Sequence, residues 1–199
     1  MGLSLWIVPN ENDAQKIESI MTIRQREPGL AEGTYPKFYL HITLASLPLS
    51  MENENNLDKI DASIRNFEQP VQCSFASVDI GSHYFRSVYV SIKLDQGIKD
   101  LHRHVHESLG VEPRTPSFPH MSLCYIADED AGKGEKERFY EELKSSGRLV
   151  DGESGSVGLN YGVGGKDGSV DSFRGHEVWT VRCEGPVEGW VVLKKTPLK

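Results

Sequence analysis

The sequence predicts an α+β fold with two sheet-bearing lobes. Helical and strand patterns alternate along the chain, but two strand patterns follow one another before the third helix, which does not fit a doubly wound parallel sheet. Two of the predicted strands carry the same short pattern, a His, any residue, then Thr or Ser and a Leu. At 199 residues the chain can bury a proper core, so we expect one domain spanning residues 1–199.

The first motif strand is predicted at residues 38–44, where apolar residues alternate with others at period two. The apolar face of this strand contains Phe38, Leu40, Ile42 and Leu44. His41 and Thr43 share the opposite face with Tyr39, because side chains at positions i and i+2 stand about 7 Å apart on one side of a strand. The pattern therefore directs an imidazole and a hydroxyl out of the same face of a sheet.

The second motif strand is predicted at residues 117–126, where His120 and Ser122 are again two positions apart and Leu123 follows. A single His-x-Thr pattern is most often an ordinary surface or core feature. Two copies on two strands favour a site, because face to face they would hold two imidazoles around one small group. Cys124 shares the predicted face of His120 and Ser122, and the sequence leaves open whether it lines that site or is an inert buried thiol.

The two motifs together suit metal-independent hydrolysis of a phosphodiester. Imidazole titrates near neutral pH, so one ring can take a proton from water while the other protonates the leaving alkoxide. Hydroxyls can donate hydrogen bonds to the phosphoryl oxygens. We therefore expect four catalytic residues and no cofactor: His41, Thr43, His120 and Ser122. The pH profile should be bell-shaped with both limbs between about pH 5 and 8, and which histidine is the base stays open.

The remaining elements are predicted from apolar spacing. Helices are expected at residues 13–26, 57–67, 96–109 and 134–146, with Gly110 ending the third. Further strands are expected at residues 3–8, 71–80, 87–94, 176–184 and 190–195. Residues 81–83 are predicted as a turn, and the glycine-rich residues 151–168 as a flexible surface loop that does not match a phosphate-binding motif.

The third predicted helix raises the alternative of a metal site, because it carries His102, His104 and His106. On a helix only His102 and His106 share a face, and no carboxylate completes a recognisable set of ligands. We therefore expect no bound metal and interpret this face as solvated.

The composition limits the partners and the compartment. A net charge of −7 argues against binding of long nucleic acid, although Lys37 and Arg114 could supply local positive charge for a small anion. There is no run long enough to span a membrane and no recognisable secretory signal. We expect a cytoplasmic monomer with reduced cysteines, although one disulfide among the three cysteines stays open.

The motifs His-Ile-Thr-Leu at residues 41–44 and His-Met-Ser-Leu at residues 120–123 resemble the paired motifs of the 2H phosphoesterase superfamily. The closest resemblance is to the plant and fungal cyclic nucleotide phosphodiesterases. It extends to the first strand, with Trp6 shortly before Pro9, to residues 81–90 and to the run that ends at Tyr125. The resemblance covers residues 3–126 and is vaguer beyond them.

This resemblance implies a two-lobed, duplicated, LigT-like fold with antiparallel sheets, flanking helices and the active site in the cleft between the lobes. It implies a small-molecule substrate, either a 2′,3′-cyclic nucleotide or ADP-ribose 1″,2″-cyclic phosphate, opened to a 2′-phosphate. It also implies that Trp6 and Tyr125 bind substrate, although strand alternation directs Tyr125 away unless a bulge or the strand end turns it inward. Two alternatives remain: another activity of the superfamily on RNA ends (exonuclease or 2′-5′ end joining), and a nucleotide-binding module without turnover.

Overall fold

A computed structural model describes residues 2–115, 117–152, 155–162 and 168–199. In chain order its elements are β1 (Gly2–Val8), α1 (Glu11–Met21), β2 (Ile42–Leu47), α2 (Glu54–Arg65), β3 (Gln72–His83), β4 (Arg86–Ile92), α3 (Gln96–Leu109), β5 (His120–Cys124), α4 (Asp128–Ala131), α5 (Glu135–Ser145), β6 (Leu149–Asp151), β7 (Val157–Asn160), β8 (Ser169–Val170), β9 (Ser172–Arg174), β10 (Glu177–Cys183) and β11 (Val191–Pro197).

Eight strands form one sheet in the order β11-β10-β1-β2-β5-β4-β3-β9, and β6, β7 and β8 form a second, smaller sheet. Neighbouring strands pair antiparallel throughout. The predicted α+β class with antiparallel sheets is confirmed. The two motif strands, β2 and β5, are neighbours at the centre of the large sheet, where a single residue pair, Ile42 and Met121, joins its two halves.

The two halves of the large sheet repeat one arrangement. In the first half α1 connects β1 to its antiparallel neighbour β2, and in the second half α3 connects β4 to its antiparallel neighbour β5. Each motif strand is therefore the last strand of a strand–helix–strand unit. This repetition brings the two motifs side by side although they lie far apart in the sequence.

One face of the large sheet is apolar and packs against the helices. Ile42, Leu44, Met121 and Leu123 are almost fully buried in this core, as the alternation of the two motif strands predicts. Each helix adds apolar residues to the same continuous core: Ile17 and Ile20 from α1, Ile60 and Ile64 from α2, Ile98, Leu101 and Val105 from α3, and Phe139 and Leu143 from α5. The motif residues between the core positions are thereby directed to the opposite face.

Capping residues determine where α3, the helix that precedes the second motif, begins and ends. Asp95 accepts a hydrogen bond from the Ile98 N–H at 3.0 Å and so caps the first turn of α3. Gly110 ends the helix in the left-handed conformation at φ 63°, as predicted.

The structure corrects two local predictions. Strand β3 continues through residues 81–83, which were expected to form a turn, and the chain reverses only at Tyr84 and Phe85. A Cβ atom on Gly81 would lie 2.1 Å from the Arg86 carbonyl oxygen, so this glycine reflects close approach of two strands and not a turn. The glycine-rich stretch contains strand β7 and is therefore not one long loop, while its residues 153–154 and 163–167 lie outside the described residues.

Within the described residues, none of the helices combines the length and the apolar character that a membrane crossing requires. Cys73, Cys124 and Cys183 are free thiols, and burial raises the pKa of all three. These thiols are therefore held in the protonated, unreactive form near neutral pH.

Candidate active site

A cleft with a volume of about 1070 Å³ opens on the polar face of the central strands. All six residues that the sequence singles out border it: Trp6, His41, Thr43, His120, Ser122 and Tyr125. The proposed site residues are thus brought together by the fold.

The register of the two motif strands arranges these residues crosswise. Because Ile42 pairs with Met121 in an antiparallel ladder, His41 lies across from Ser122 and Thr43 lies across from His120. Each imidazole therefore has one hydroxyl two positions along its own strand and another on the facing strand. Such a cluster can surround one small group from two sides.

His41 borders the cleft and is almost fully buried. Its Nδ1 lies 2.6 Å from the backbone carbonyl oxygen of Tyr39, and its ring stacks on Trp6 with centroids 3.8 Å apart and an angle of 11° between planes. Only 8% of the His41 surface is exposed. The stack and the hydrogen bond together fix the plane of the imidazole.

His120 has the same hydrogen-bonding arrangement. Its Nδ1 lies 3.0 Å from the Ser117 carbonyl oxygen, and the Tyr89 ring meets it edge-on at 5.5 Å. A carbonyl can only accept, so in both histidines the proton of the neutral ring resides on Nδ1. Neither Nε2 has a partner among the described residues, and each keeps a lone pair for a proton from water or substrate.

Burial keeps both imidazoles neutral. Together with the charge of the nearby His120, it lowers the pKa of His41 to about 4. Burial also lowers the pKa of His120, with a contribution from the positive charge of Arg86. In the ligand-free protein at pH 7 both rings are therefore bases, and the proton that an acid would donate must be retained with the help of a bound anion.

The two motif hydroxyls are not equivalent. Ser122 Oγ donates a hydrogen bond to the Phe85 carbonyl oxygen at 2.7 Å. The hydroxyl of Thr43 has no hydrogen-bond partner in the part of the chain that the structure describes, and it borders the cleft. Thr43 is therefore free to donate to a ligand, whereas Ser122 would first have to leave its carbonyl.

Trp6 and Tyr125 border the cleft but expose little surface to it. Trp6 is 1% exposed, donates from Nε1 to Ser4 Oγ at 2.8 Å, and has one face covered by His41. Tyr125 is 2% exposed and stacks on Phe38 at 4.0 Å. Strand β5 ends at Cys124, so Tyr125 escapes the strand alternation and reaches the cleft. Both rings are better placed to support the site than to hold a base.

Among the cleft residues that were not predicted as site residues are Phe85, Arg86 and Trp190. Phe85 is 41% exposed at the turn between β3 and β4, and its ring lies 5.6 Å from that of Trp190. Both lie outside the two motifs, and Trp190 comes from the far end of the chain. The visible signal was the run of aromatic residues beside a cation at residues 84–86, which the misplaced turn obscured.

The other candidate residues lie elsewhere or at the rim. Arg114 borders the cleft as an exposed side chain, whereas Lys37 and Cys124 border a separate cavity of about 850 Å³. His102 and His106 approach each other to 4.2 Å between ring centroids. No group of three or more metal-binding side chains occurs in the described ranges of the chain.

Comparisons of the sequence point to one family. The family model described as "Cyclic phosphodiesterase-like protein" matches residues 1–198. A 2′,3′-cyclic-nucleotide 3′-phosphodiesterase from Yarrowia lipolytica is 27% identical over 232 aligned residues, covering 97% of this chain and 98% of the relative. A cyclic phosphodiesterase from Arabidopsis thaliana is 23% identical over 138 residues, covering 69% of this chain and 72% of the relative.

The fold is similar to that of the Escherichia coli LigT protein, whose crystal structure was determined in complex with 3′-AMP. The two superpose with a TM-score of 0.57 and 15% identity, covering 100% of this chain and 98% of LigT. The LigT-like, 2H phosphoesterase type of fold inferred from the two motifs is confirmed by this likeness. With a family model that spans nearly its whole length, the chain belongs to the cyclic phosphodiesterase family.

Proposed function

We propose that the protein hydrolyses a 2′,3′-cyclic nucleotide, or the related 1″,2″-cyclic phosphate of ADP-ribose, to a phosphomonoester without a metal ion. The observation that carries the proposal is the placement of His41 and His120 on two adjacent strands at one cleft. Both Nδ1 atoms are bound to carbonyls, and neither Nε2 atom has a partner among the described residues. This pair can supply a base and an acid on opposite sides of one phosphate. The names of the Yarrowia and Arabidopsis relatives support the same substrate class.

In this proposal His41 is the general base. Its pKa of about 4 keeps it neutral in the free protein, and its rigid stack on Trp6 would aim Nε2 at a water molecule. His120 is less buried than His41, so it is the ring on which a proton is the easier to hold once an anionic phosphate is bound. His120 would then protonate the departing ribose oxygen. The reaction adds one water across the P–O bond and leaves an alcohol and a phosphomonoester.

The remaining groups have supporting roles in the proposal. Thr43 donates to a non-bridging oxygen of the phosphate, and Ser122 fixes the Phe85 carbonyl at the edge of the cleft. Trp6 and Tyr125 pack behind the residues that line the site, and the exposed ring of Phe85 offers a surface on which the nucleoside can stack. The continuous core and the family match over residues 1–198 support a single catalytic domain.

The pH dependence of 2′,3′-cyclic AMP opening tests this assignment. Below the pKa of His41 the base is protonated and blocked, and above the pKa of His120 the acid has lost its proton. Since the pKa of His41 is about 4 and that of His120 is lowered below its ordinary value of 6.5, kcat/KM is expected to be greatest at acidic pH. This is lower than the range expected from the sequence. A bound phosphate anion favours both imidazolium forms, so the bell for kcat is expected at higher pH than the bell for kcat/KM.

Steady-state rates between about pH 3.5 and 9 measure both profiles, because the two limbs report the pKa values of the coupled pair. A kcat/KM that climbs steadily through pH 8 would contradict the assignment. So would the absence of turnover at every pH.

A further inference from the structure

We propose that Arg86 binds a non-bridging oxygen of the reacting phosphate and is the cation that neutralises it in the cleft. The proposal rests on the proposed function, since it identifies a substrate-binding residue of the same site. Arg86 lies outside both His-x-Thr/Ser motifs. It is the first residue of β4 and borders the same cleft as His41 and His120.

The guanidinium of Arg86 lacks a counter-ion. Its Nε is buried and has no hydrogen-bond partner, and no carboxylate lies within ion-pair distance of it in the described structure. Its neighbour is instead the Tyr89 ring, 5.4 Å from the central carbon of the guanidinium. Other arginines contrast with it, since each of the following contacts a carboxylate: Arg24, Arg65, Arg103, Arg138 and Arg182. A buried donor without an acceptor is unfavourable, and a bound anion would satisfy it.

The surrounding residues fix the side chain next to the catalytic pair. A Cβ atom on Gly81 would lie 3.2 Å from Arg86 Nε. Because glycine has no Cβ atom, the side chain of Arg86 can lie against β3 at this position. The Tyr89 ring lies near both groups, because its centroid is 5.4 Å from the Arg86 guanidinium carbon and 5.5 Å from the centroid of the His120 ring. The positive charge of Arg86 also contributes to the lowered pKa of His120. Arg86 is therefore placed near the acid and not at a remote rim.

The four motif residues do not provide a positive charge to balance the negative charge of a bound phosphate. A cyclic phosphate carries a negative charge, but both imidazoles are neutral in the free protein, and the Ser122 hydroxyl already donates to the Phe85 carbonyl. Of the four motif side chains, only Thr43 has a donor without a partner among the described residues. Arg86 adds a fixed positive charge and planar N–H groups that suit phosphate oxygens.

The ligand class is a phosphate oxyanion, which could belong to the reacting cyclic phosphate or to a second phosphate group of a larger substrate. The position of Arg86 beside Tyr89 and His120 favours the reacting phosphate. The two sources differ in a measurable way, because only the first predicts the same loss for every cyclic phosphate.

The test compares the Arg86→Gln and Arg86→Lys variants with the unaltered protein. Calorimetric titration with inorganic phosphate and steady-state rates with 2′,3′-cyclic AMP are measured on each. We expect Arg86→Gln to weaken phosphate binding and lower kcat/KM by roughly 10- to 100-fold, as for a lost hydrogen bond to a charged group. Arg86→Lys keeps the charge but not the planar fork, and is expected to recover part of the loss.

Two control variants separate direct contact from general effects. Arg103→Gln removes an exposed arginine on α3 that does not border the cleft, and should leave both quantities unchanged. Arg114→Gln removes a charge at the rim of the same cleft and should cost less than about 3-fold, because exposed charges are screened. A loss with Arg114→Gln as large as with Arg86→Gln would overturn the proposal in favour of long-range attraction. Thermal unfolding of each variant shows whether it is folded.

The remaining outcomes are equally decisive. Unchanged phosphate affinity in a folded Arg86→Gln variant overturns the proposal while leaving the proposed function intact. A loss confined to substrates that carry an additional diphosphate, such as ADP-ribose 1″,2″-cyclic phosphate, also overturns it. Weakened phosphate binding in a protein that opens no cyclic phosphate would support the Arg86 site and contradict the proposed function.

Discussion

Replacing His41 or His120 with alanine is expected to lower kcat for 2′,3′-cyclic nucleotides by at least about 100-fold in a folded protein, since general acids and bases typically contribute 10²–10⁴-fold. Both imidazoles border the same cleft and would act in the same displacement reaction at phosphorus. The kcat of the double variant should therefore be little lower than that of either single variant. The residual pH profiles should differ. His41→Ala should lose the acidic limb, which reports the base, and His120→Ala should lose the alkaline limb.

His176→Ala provides the matched control, because His176 is an exposed histidine that does not border the cleft. It should retain full activity. Near-full turnover in a folded His41→Ala or His120→Ala variant would show that the two imidazoles are not the acid–base pair. An exchange of the lost limbs between the two variants would reverse their roles but preserve the pair.

Removing the hydroxyl of Thr43 is expected to have the next largest effect. Its hydroxyl borders the cleft and has no hydrogen-bond partner among the described residues. A donor aimed at the developing charge of a phosphate is worth about 2–4 kcal/mol if it resembles an oxyanion-hole donor. Thr43→Val keeps the shape of the side chain and should lower kcat accordingly, while Thr43→Ser should be mild. Ser122→Ala should cost less, because that hydroxyl already donates to the Phe85 carbonyl.

Kinetics of the three variants, with thermal unfolding to check their folding, measure this difference. Equal losses for Thr43→Ser and Thr43→Val would contradict a role for the hydroxyl. A larger loss for Ser122→Ala than for Thr43→Val would mean that Ser122 releases the carbonyl and binds the phosphate itself.

Much of the fold was accessible from the sequence because its signals are local. The apolar alternation around Ile42 and Met121 identified the buried face of both motif strands. The helical spacing of apolar residues and the terminating Gly110 predicted the bounds of α3 to within a residue. The adjacency of β2 and β5 was not accessible, because it depends on pairing between strands far apart in the chain. The prediction of a turn at residues 81–83 was wrong for a related reason. Gly81 is required because the backbone of Arg86 on the neighbouring strand lies close to it, and not because the local backbone turns.

In the candidate site, too, local sequence patterns could be interpreted but tertiary contacts could not. Four motif residues could be named, since strand alternation alone places the histidines and hydroxyls on one face. The environment of each could not, because it comes from tertiary contacts. The stack of Trp6 on His41 makes the expected substrate platform a support for the His41 ring, and the end of β5 at Cys124 brings Tyr125 to the cleft against the alternation. The role of Arg86 could not be predicted from the aromatic residues beside it, because its lack of an ion-pair partner among the described residues is visible only in three dimensions.

The account centres on metal-free opening of a 2′,3′-cyclic phosphate by an imidazole pair, and phosphorus NMR of the reaction in EDTA tests it most directly. The purified protein would be incubated with each of the four 2′,3′-cyclic nucleotides, with and without excess EDTA. We predict equal rates in both conditions and a single product isomer, the 2′-phosphate, because in-line attack in a fixed cleft selects one leaving oxygen. Loss of activity in EDTA that zinc or manganese restores, or a mixture of 2′- and 3′-phosphates, would contradict the account.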